Sequence, residues 1–285
     1  MRNIFKILGI AILLLLIACS NEGESEKNII KIGVTGTDGA QWDVLKSLAE
    51  EENIDIELIE FSDYTLPNNA LANGDIDINS FQHVAFLSQF AKENDLDLVP
   101  IGSTVIAPLG IYSEKISNIS ELKEGDKIAV PDDPSNLGRS LRLLETAGLI
   151  TLKEGTGLFG DTTAIEENYK NLEIIPMVAQ QTPRVLKDVA ASIINNGIAG
   201  QAGFDPAKDP IFLEDGHDDS VLPYVNIFAS RAEDADNEIY LKIVELYQSE
   251  AVSKAIEEET KGGSILIQVP NEQLLETFET LKGEE

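Results

Sequence analysis

From Ile29 onward, short runs rich in β-branched residues alternate with longer stretches whose apolar residues recur at helical spacing. A helix with one apolar stripe and a strand that must be covered on its faces solve each other's burial problem. The alternation therefore predicts α/β units on mostly parallel sheets. Strands are expected over 29–35, 54–61, 76–79, 98–103, 109–112, 127–130, 173–176 and 190–194. Helices are expected over 41–52, 81–94, 135–147, 183–187, 237–248, 250–260 and 271–282. In the second of these, Val84, Phe86, Leu87, Phe90 and Ala91 share a core face. Ser135 or Asn136 is available as the N-cap of 135–147, and Gly148 stops that helix. With 285 residues against a prior of about 150 per domain, two compact units are expected. The pattern alone leaves one large sheet or two lobes open.

The chain carries 21 basic against 50 acidic residues, a net charge of −29. Such a surface repels phosphate backbones, so nucleic acid is excluded as a partner. One Cys and two His leave no disulfide and no Cys/His zinc site. No metal and no cofactor is expected.

Residues 1–18 carry Arg2 and Lys6 ahead of an apolar run over 7–18, too short for the ~20 residues that span a bilayer. They read as an export signal. The run ends in Leu16, Ile17, Ala18 and Cys19, which resembles the bacterial lipobox. That resemblance implies cleavage before Cys19 and a thioether-linked diacylglyceryl with palmitate-type chains. The mature protein would be held on the cell membrane, facing the extracytoplasmic side. Two acyl chains suffice for stable anchoring. Residues 19–28, polar and acidic, read as a flexible tether.

Gly155, Gly157 and Gly160 spell G-x-G-x-x-G, but no firm strand precedes them and no helix opens directly after, so a plain glycine loop is expected. Phosphate-loop, nucleophile-elbow and H-E-x-x-H signatures are absent. His217 lies in an acidic, solvated stretch, and the pairs Asp132–Asp133 and Asp218–Asp219 leave a hydrolase with paired carboxylates as an alternative. Arg139 follows a strand within the first turns of a helix, a placement that suits either a ligand carboxylate or a structural pair with Asp132 or Asp133. Arg142 is expected to pair with Glu145 at the surface. Phe81, His83 and Phe86 cluster at the expected start of helix 81–94, and Asn195 and Asn226 stand at strand ends. Core packing and turn chemistry account for these residues as readily as a site does.

Segments 61–87 (FSDYTLPNNALANGDIDINSFQHVAFL), 107–116, 132–150 (DDPSNLGRSLRLLETAGLI), 181–195 (QTPRVLKDVAASIIN) and 223–227 (PYVNI) occur in this order. Together they resemble the methionine-binding lipoproteins, the substrate-binding components of bacterial methionine ABC importers. The resemblance implies an α/β, two-lobed periplasmic-binding-protein fold with two crossovers. Residues 29–107 plus 227–285 would form one lobe and 112–222 the other, with hinges at 108–111 and 223–226. It implies no enzymatic activity, and a monomer that binds L-methionine, or a related amino acid or short methionine peptide, for an ABC permease and its ATPase. A surface interaction lipoprotein is the other alternative. The implied ligand contacts are Tyr64, Phe81, His83, Phe86, Arg139, Asn195 and Asn226. Arg139 would take the α-carboxylate, Asn195 and Asn226 the backbone polar groups, and the four ring-bearing residues the side chain, with His83 neutral. Departures from the family's pattern fall at Ser80, at Ile198 and in the loop Gly36 to Gly39. Asp38 and Trp42 beside that loop are further candidates, Trp42 chiefly as core.

Overall fold

The computed structural model describes residues 28–216 and 219–283. The signal segment, Cys19, the tether up to residue 27, and His217 with Asp218 lie outside them. Asn28 is not the tether's last residue but the first of a strand, opposite Ile54.

The first half runs β1 (Asn28–Val34), α1 (Ala40–Glu51), β2 (Ile54–Glu60), α2 (Leu66–Asn73), β3 (Ile78–His83), α3 (Val84–Asn94), β4 (Leu98–Ser103) and β5 (Val105–Ile106). Next come β6 (Gly110–Tyr112), β7 (Lys127–Pro131), α4 (Pro134–Thr146), β8 (Ile150–Leu152), β9 (Ile165–Asn168), β10 (Glu173–Met177), β11 (Ala191–Ile194), α5 (Asn196–Gln201) and β12 (Phe212–Leu213). The chain closes with β13 (Asn226–Arg231), α6 (Glu238–Tyr247), α7 (Glu250–Thr260), β14 (Ile265–Leu266) and α8 (Asn271–Gly283).

Two five-stranded sheets result, in the orders β2-β1-β3-β13-β4 and β10-β7-β11-β6-β12. The chain passes from the first to the second between β5 and β6 and returns between β12 and β13. The fold is thus α/β, with two lobes joined by two crossovers. In each sheet four of the five strands run the same way, so both sheets are mostly parallel, as expected. β1 runs parallel to β2 and β3, and β7 parallel to β10 and β11, but β13 is antiparallel to β3 and β4, and β6 to β11 and β12. The antiparallel members flank the crossovers, where a returning chain enters a sheet without the helical connection a parallel strand needs.

In the first lobe Ile32, Leu45, Phe228, Ile243 and Tyr247 fill the layer under α1, α6 and α7. Leu71, Leu87, Ile227 and Phe278 fill the layer under α2, α3 and α8. Ile111, Ile128, Leu141, Leu144 and Ile193 form the core of the second lobe. Trp42 is buried against Tyr247, with ring centroids 5.7 Å apart, so it is core as expected.

Three of the helix boundaries that differ from the sequence expectation do so for an identifiable local reason. The helix expected from residue 81 starts at Val84, because the Nδ1 of His83 accepts the Phe86 N–H at 3.0 Å and caps it. Phe81 and His83 belong to β3 instead. Asp133, not Ser135 or Asn136, caps α4, its Oδ1 accepting from Asn136 N at 2.9 Å and Ser135 Oγ at 2.8 Å. Pro134 at the first helical position moves the start upstream. Gly148, at φ 70°, follows the end of α4 as expected. The segment expected as helix 183–187 is a 3₁₀ stretch over Ala179–Val185, since Pro183 inside it has no N–H to donate.

Candidate functional site

A cleft of about 820 Å³ lies between the lobes. From the first lobe it is lined by Tyr64, Phe81, His83, Phe86 and Asn226, and from the second by Asn136, Arg139 and Asn195. All seven residues singled out in the sequence therefore border one cavity, together with Ser80, Ile198, Asp38 and one edge of Trp42. β3 and the first turn of α3 supply Phe81, His83 and Phe86, and Asn226 faces His83 across the β13–β3 register. The start of α4 supplies Asn136 and Arg139, one turn apart, and the end of β11 delivers Asn195.

Tyr64, Phe81 and Phe86 form a triangle of rings with centroids 5.9, 5.9 and 5.8 Å apart. The tilted and edge-on geometries are those that aromatic quadrupoles favour. His83 completes this wall. Its Nδ1 accepts a backbone N–H, so Nε2 carries the proton and points at Asn136 Oδ1, 3.3 Å away. Burial, reinforced by the Arg139 charge, lowers its pKa to about 3. The ring is neutral.

Opposite the rings, polar side chains are ordered from one another. Asn136 donates through Nδ2 to both Asp133 oxygens at 3.0 Å, which fixes its amide and turns Oδ1 toward Asn195 Nδ2 at 2.8 Å. That bond directs Asn195 Oδ1 away from Asn136, and this buried oxygen has no partner among the described residues. An orphan acceptor of this kind costs free energy until a donor arrives. Burial raises the pKa of Asp133, against the hydrogen bonds from Asn136 and Ser135 that stabilise its charge. Burial likewise raises the Tyr64 phenol.

Arg139 is 3% exposed. It pairs with neither Asp132 nor Asp133, because the fork of the guanidinium is closed by Glu214. Nε donates to Oε1 at 2.9 Å and Nη2 to Oε2, while Nη2 also reaches Ala107 O at 3.1 Å. Tyr224 lies under the guanidinium, 4.5 Å from ring centroid to Cζ. Nη1 makes no hydrogen bond among the described residues. Arg142 does not pair with Glu145 either. Its Nη2 donates to Thr156 O at 2.8 Å and Gly157 O at 2.9 Å, tying down the glycine loop, while Glu145 accepts the Leu152 N–H.

Two site residues escaped the sequence reading in their present roles. Asn136 entered only as a cap, although its position three residues before Arg139 places both on one helix face. Glu214 lies in the acidic stretch taken as solvated surface, and no local pattern marks it. Among the described residues no group of three His, Cys, Asp or Glu can hold a metal ion, and no helix is long and apolar enough to cross a membrane.

The D-methionine-binding lipoprotein MetQ of Salmonella typhimurium is 44% identical over 265 residues, covering 92% of this chain and 96% of that protein. The crystal structure of protein PG110 from Staphylococcus aureus is 46% identical, with a TM-score of 0.86, covering 88% of this chain and 99% of that one. A nutrient-binding protein from Burkholderia cenocepacia, solved bound to methionine, is 42% identical with a TM-score of 0.78, covering 83% and 99%. The profile of the NlpA lipoproteins matches residues 30–267, and the chain belongs to that family.

Proposed function

We propose that this chain is the substrate-binding lipoprotein of a bacterial ABC importer, capturing methionine or a close relative between its lobes. The observation that carries the proposal is one cleft holding a buried guanidinium, an unpartnered amide oxygen and a three-ring wall. An α-amino acid offers the complement of each. Its carboxylate meets the open Nη1 of Arg139, its ammonium supplies the donor that Asn195 Oδ1 lacks, and Asn226 borders the same end. Tyr64, Phe81, His83 and Phe86 surround the side chain, where each sulfur–aromatic contact is worth ~0.3–1.5 kcal/mol.

In this reading residues 29–107 plus 227–285 and residues 112–222 move as two bodies about hinges at 108–111 and 223–226, and closure excludes water. The mature protein is held to the membrane through lipid on Cys19, acts as a monomer, and presents its closed form to a permease and its ATPase. A hydrolase with paired carboxylates is less well supported, since the Asp133 carboxylate is spent on capping α4 and orienting Asn136.

The test is calorimetry on delipidated protein, unfolded and refolded to strip carried-over ligand, against the twenty amino acids and both methionine enantiomers. Saturable heat with methionine is expected. No heat with any of them overturns the proposal.

A further inference from the structure

Among the described residues one guanidinium lines the cleft, and it is matched by a carboxylate of the protein itself. Glu214 accepts from two nitrogens of Arg139 and also takes the Leu109 N–H at 3.0 Å through Oε2. Its own N–H donates to Leu109 O at 3.0 Å, so Glu214 is clamped to the crossover segment between β5 and β6 from both main chain and side chain. Arg139 in turn touches Ala107 at one crossover and Tyr224 in the other. Of the other groups around it, His83 is neutral, Asp133 lies close enough to be felt at Tyr64, and Arg142, which is felt at Tyr224, is turned to the carbonyls of Thr156 and Gly157.

We infer that Glu214 is a specificity-determining residue, which makes the cleft select a zwitterion over a plain carboxylate by cancelling the charge of Arg139. The inference rests on the amino-acid reading above. An uncompensated buried arginine would attract any small anion of suitable shape. With Glu214 in its fork, Arg139 still donates a directed hydrogen bond through Nη1, but the pair has no net charge to offer. An incoming carboxylate then adds an unbalanced negative charge near Glu214 and Asp133, and in a desolvated site like charges a few ångströms apart are strongly unfavourable. A ligand that brings its own ammonium avoids this cost and also satisfies Asn195 Oδ1. Glu214 acts through Arg139 and does not need to touch the ligand.

The experiment compares methionine with the same molecule lacking its amino group, a thioether carboxylic acid, by calorimetry at fixed salt. Melting temperatures are recorded in parallel. The wild type should bind methionine at least ~100-fold more tightly than the deaminated acid, a ratio that needs no variant to measure. Glu214→Gln, which keeps the shape and one acceptor but not the charge, should lower that ratio about tenfold or more. Glu214→Asp should leave the ratio near that of the wild type, even where both affinities fall. A purely structural role would weaken both ligands together and leave the ratio unmoved. The inference is overturned if the wild type binds the deaminated acid within tenfold of methionine, or if Glu214→Gln binds methionine with an unaltered ratio. If the wild type binds no amino acid at all, the functional reading fails, and this inference with it.

Discussion

Arg139 meets two demands at once, and they separate by mutation. Its guanidinium neutralises Glu214 and lines the cleft, with Nη1 free of hydrogen bonds among the described residues. Arg139→Ala should therefore lower methionine affinity ~100-fold, the scale of a charge-assisted hydrogen bond and its desolvated partner. It should also cost about 3 kcal/mol of stability, because Glu214 is left without its counter-charge. Adding Glu214→Ala to Arg139→Ala should recover part of the stability and none of the affinity, read by denaturant unfolding and calorimetry. A double variant no more stable than the single would show that the ion pair is not the source of the loss. His83 allows a prediction in pH. Its folded pKa of about 3 lies below its ordinary value of 6.5, so the unfolded chain binds the extra proton first as pH falls. The stabilising contribution of neutral His83 is complete above pH 6.5 and is lost progressively from there toward pH 3. Relative to His83→Asn, which keeps a capping acceptor but does not titrate, the wild type should lose about 2 kcal/mol between pH 6.5 and 5. Parallel pH curves for the two proteins would contradict a neutral, buried ring.

At the scale of elements, the start of α4 does the most for the site, and its constraint is tightest at Gly138. A Cβ there would lie 1.9 Å from the carbonyl oxygen of Leu158, so the glycine loop over 155–160 rests directly on the helix. Helix propensity alone favours Ala over Gly by about 1 kcal/mol. The clash is with backbone, and Arg142 pins that loop to the same helix, so it cannot simply step aside. Gly138→Ala should therefore destabilise by about 1–3 kcal/mol and weaken ligand binding through its neighbour Arg139. A stabilised variant would mean the loop yields freely. α4 also shows what a linear sequence reveals and what it hides. Its length and apolar spacing were legible because Leu137, Leu141 and Leu144 repeat on one face. Its cap was misplaced because Asp, Ser and Asn in succession all satisfy the capping rule, and only Pro134 decides among them. α2 was not read at all, since Pro67 and three asparagines dilute its helical signal. Its Asn68 is spent on buried amide bonds to Asn79 and Gln82, 2.7 to 2.9 Å long. The end of β3 reads as helix because Phe81 stands at helical spacing from Val84 and Ala85. In the site, Arg139 and Asn195 carried local signals, whereas Glu214, 75 residues beyond Arg139, reaches it only through the crossover.

On the scale of the whole molecule, the lobes are joined across the mouth of the cleft by contacts that need both lobes in place. Gln201 Nε2 donates to Thr35 O at 2.6 Å, Asn196 Nδ2 to Gly263 O at 2.6 Å, and Ser264 Oγ to Asn196 Oδ1 at 3.2 Å. Lys261 and Asp205 approach to 3.6 Å. If closure follows ligand encounter, these bonds form after the association step and break before release, so they should govern how long the ligand stays rather than how fast it arrives. They are not equal. Asn196 and Ser264 are buried, and removing one partner strands the others, whereas the lysine is 63% exposed and its pair is weakened by solvent. Asn196→Ala should therefore raise the dissociation rate of methionine roughly tenfold with little change in the association rate, and Lys261→Ala should change either by less than about twofold. The protein carries its own reporter, since its one tryptophan, Trp42, borders the cleft while its ring packs in the first lobe. Stopped-flow fluorescence with unlabelled ligand can therefore follow both phases. A faster association rate in Asn196→Ala would mean that the latch is already formed when the ligand enters, and an unchanged dissociation rate would mean that the ligand alone holds the lobes together.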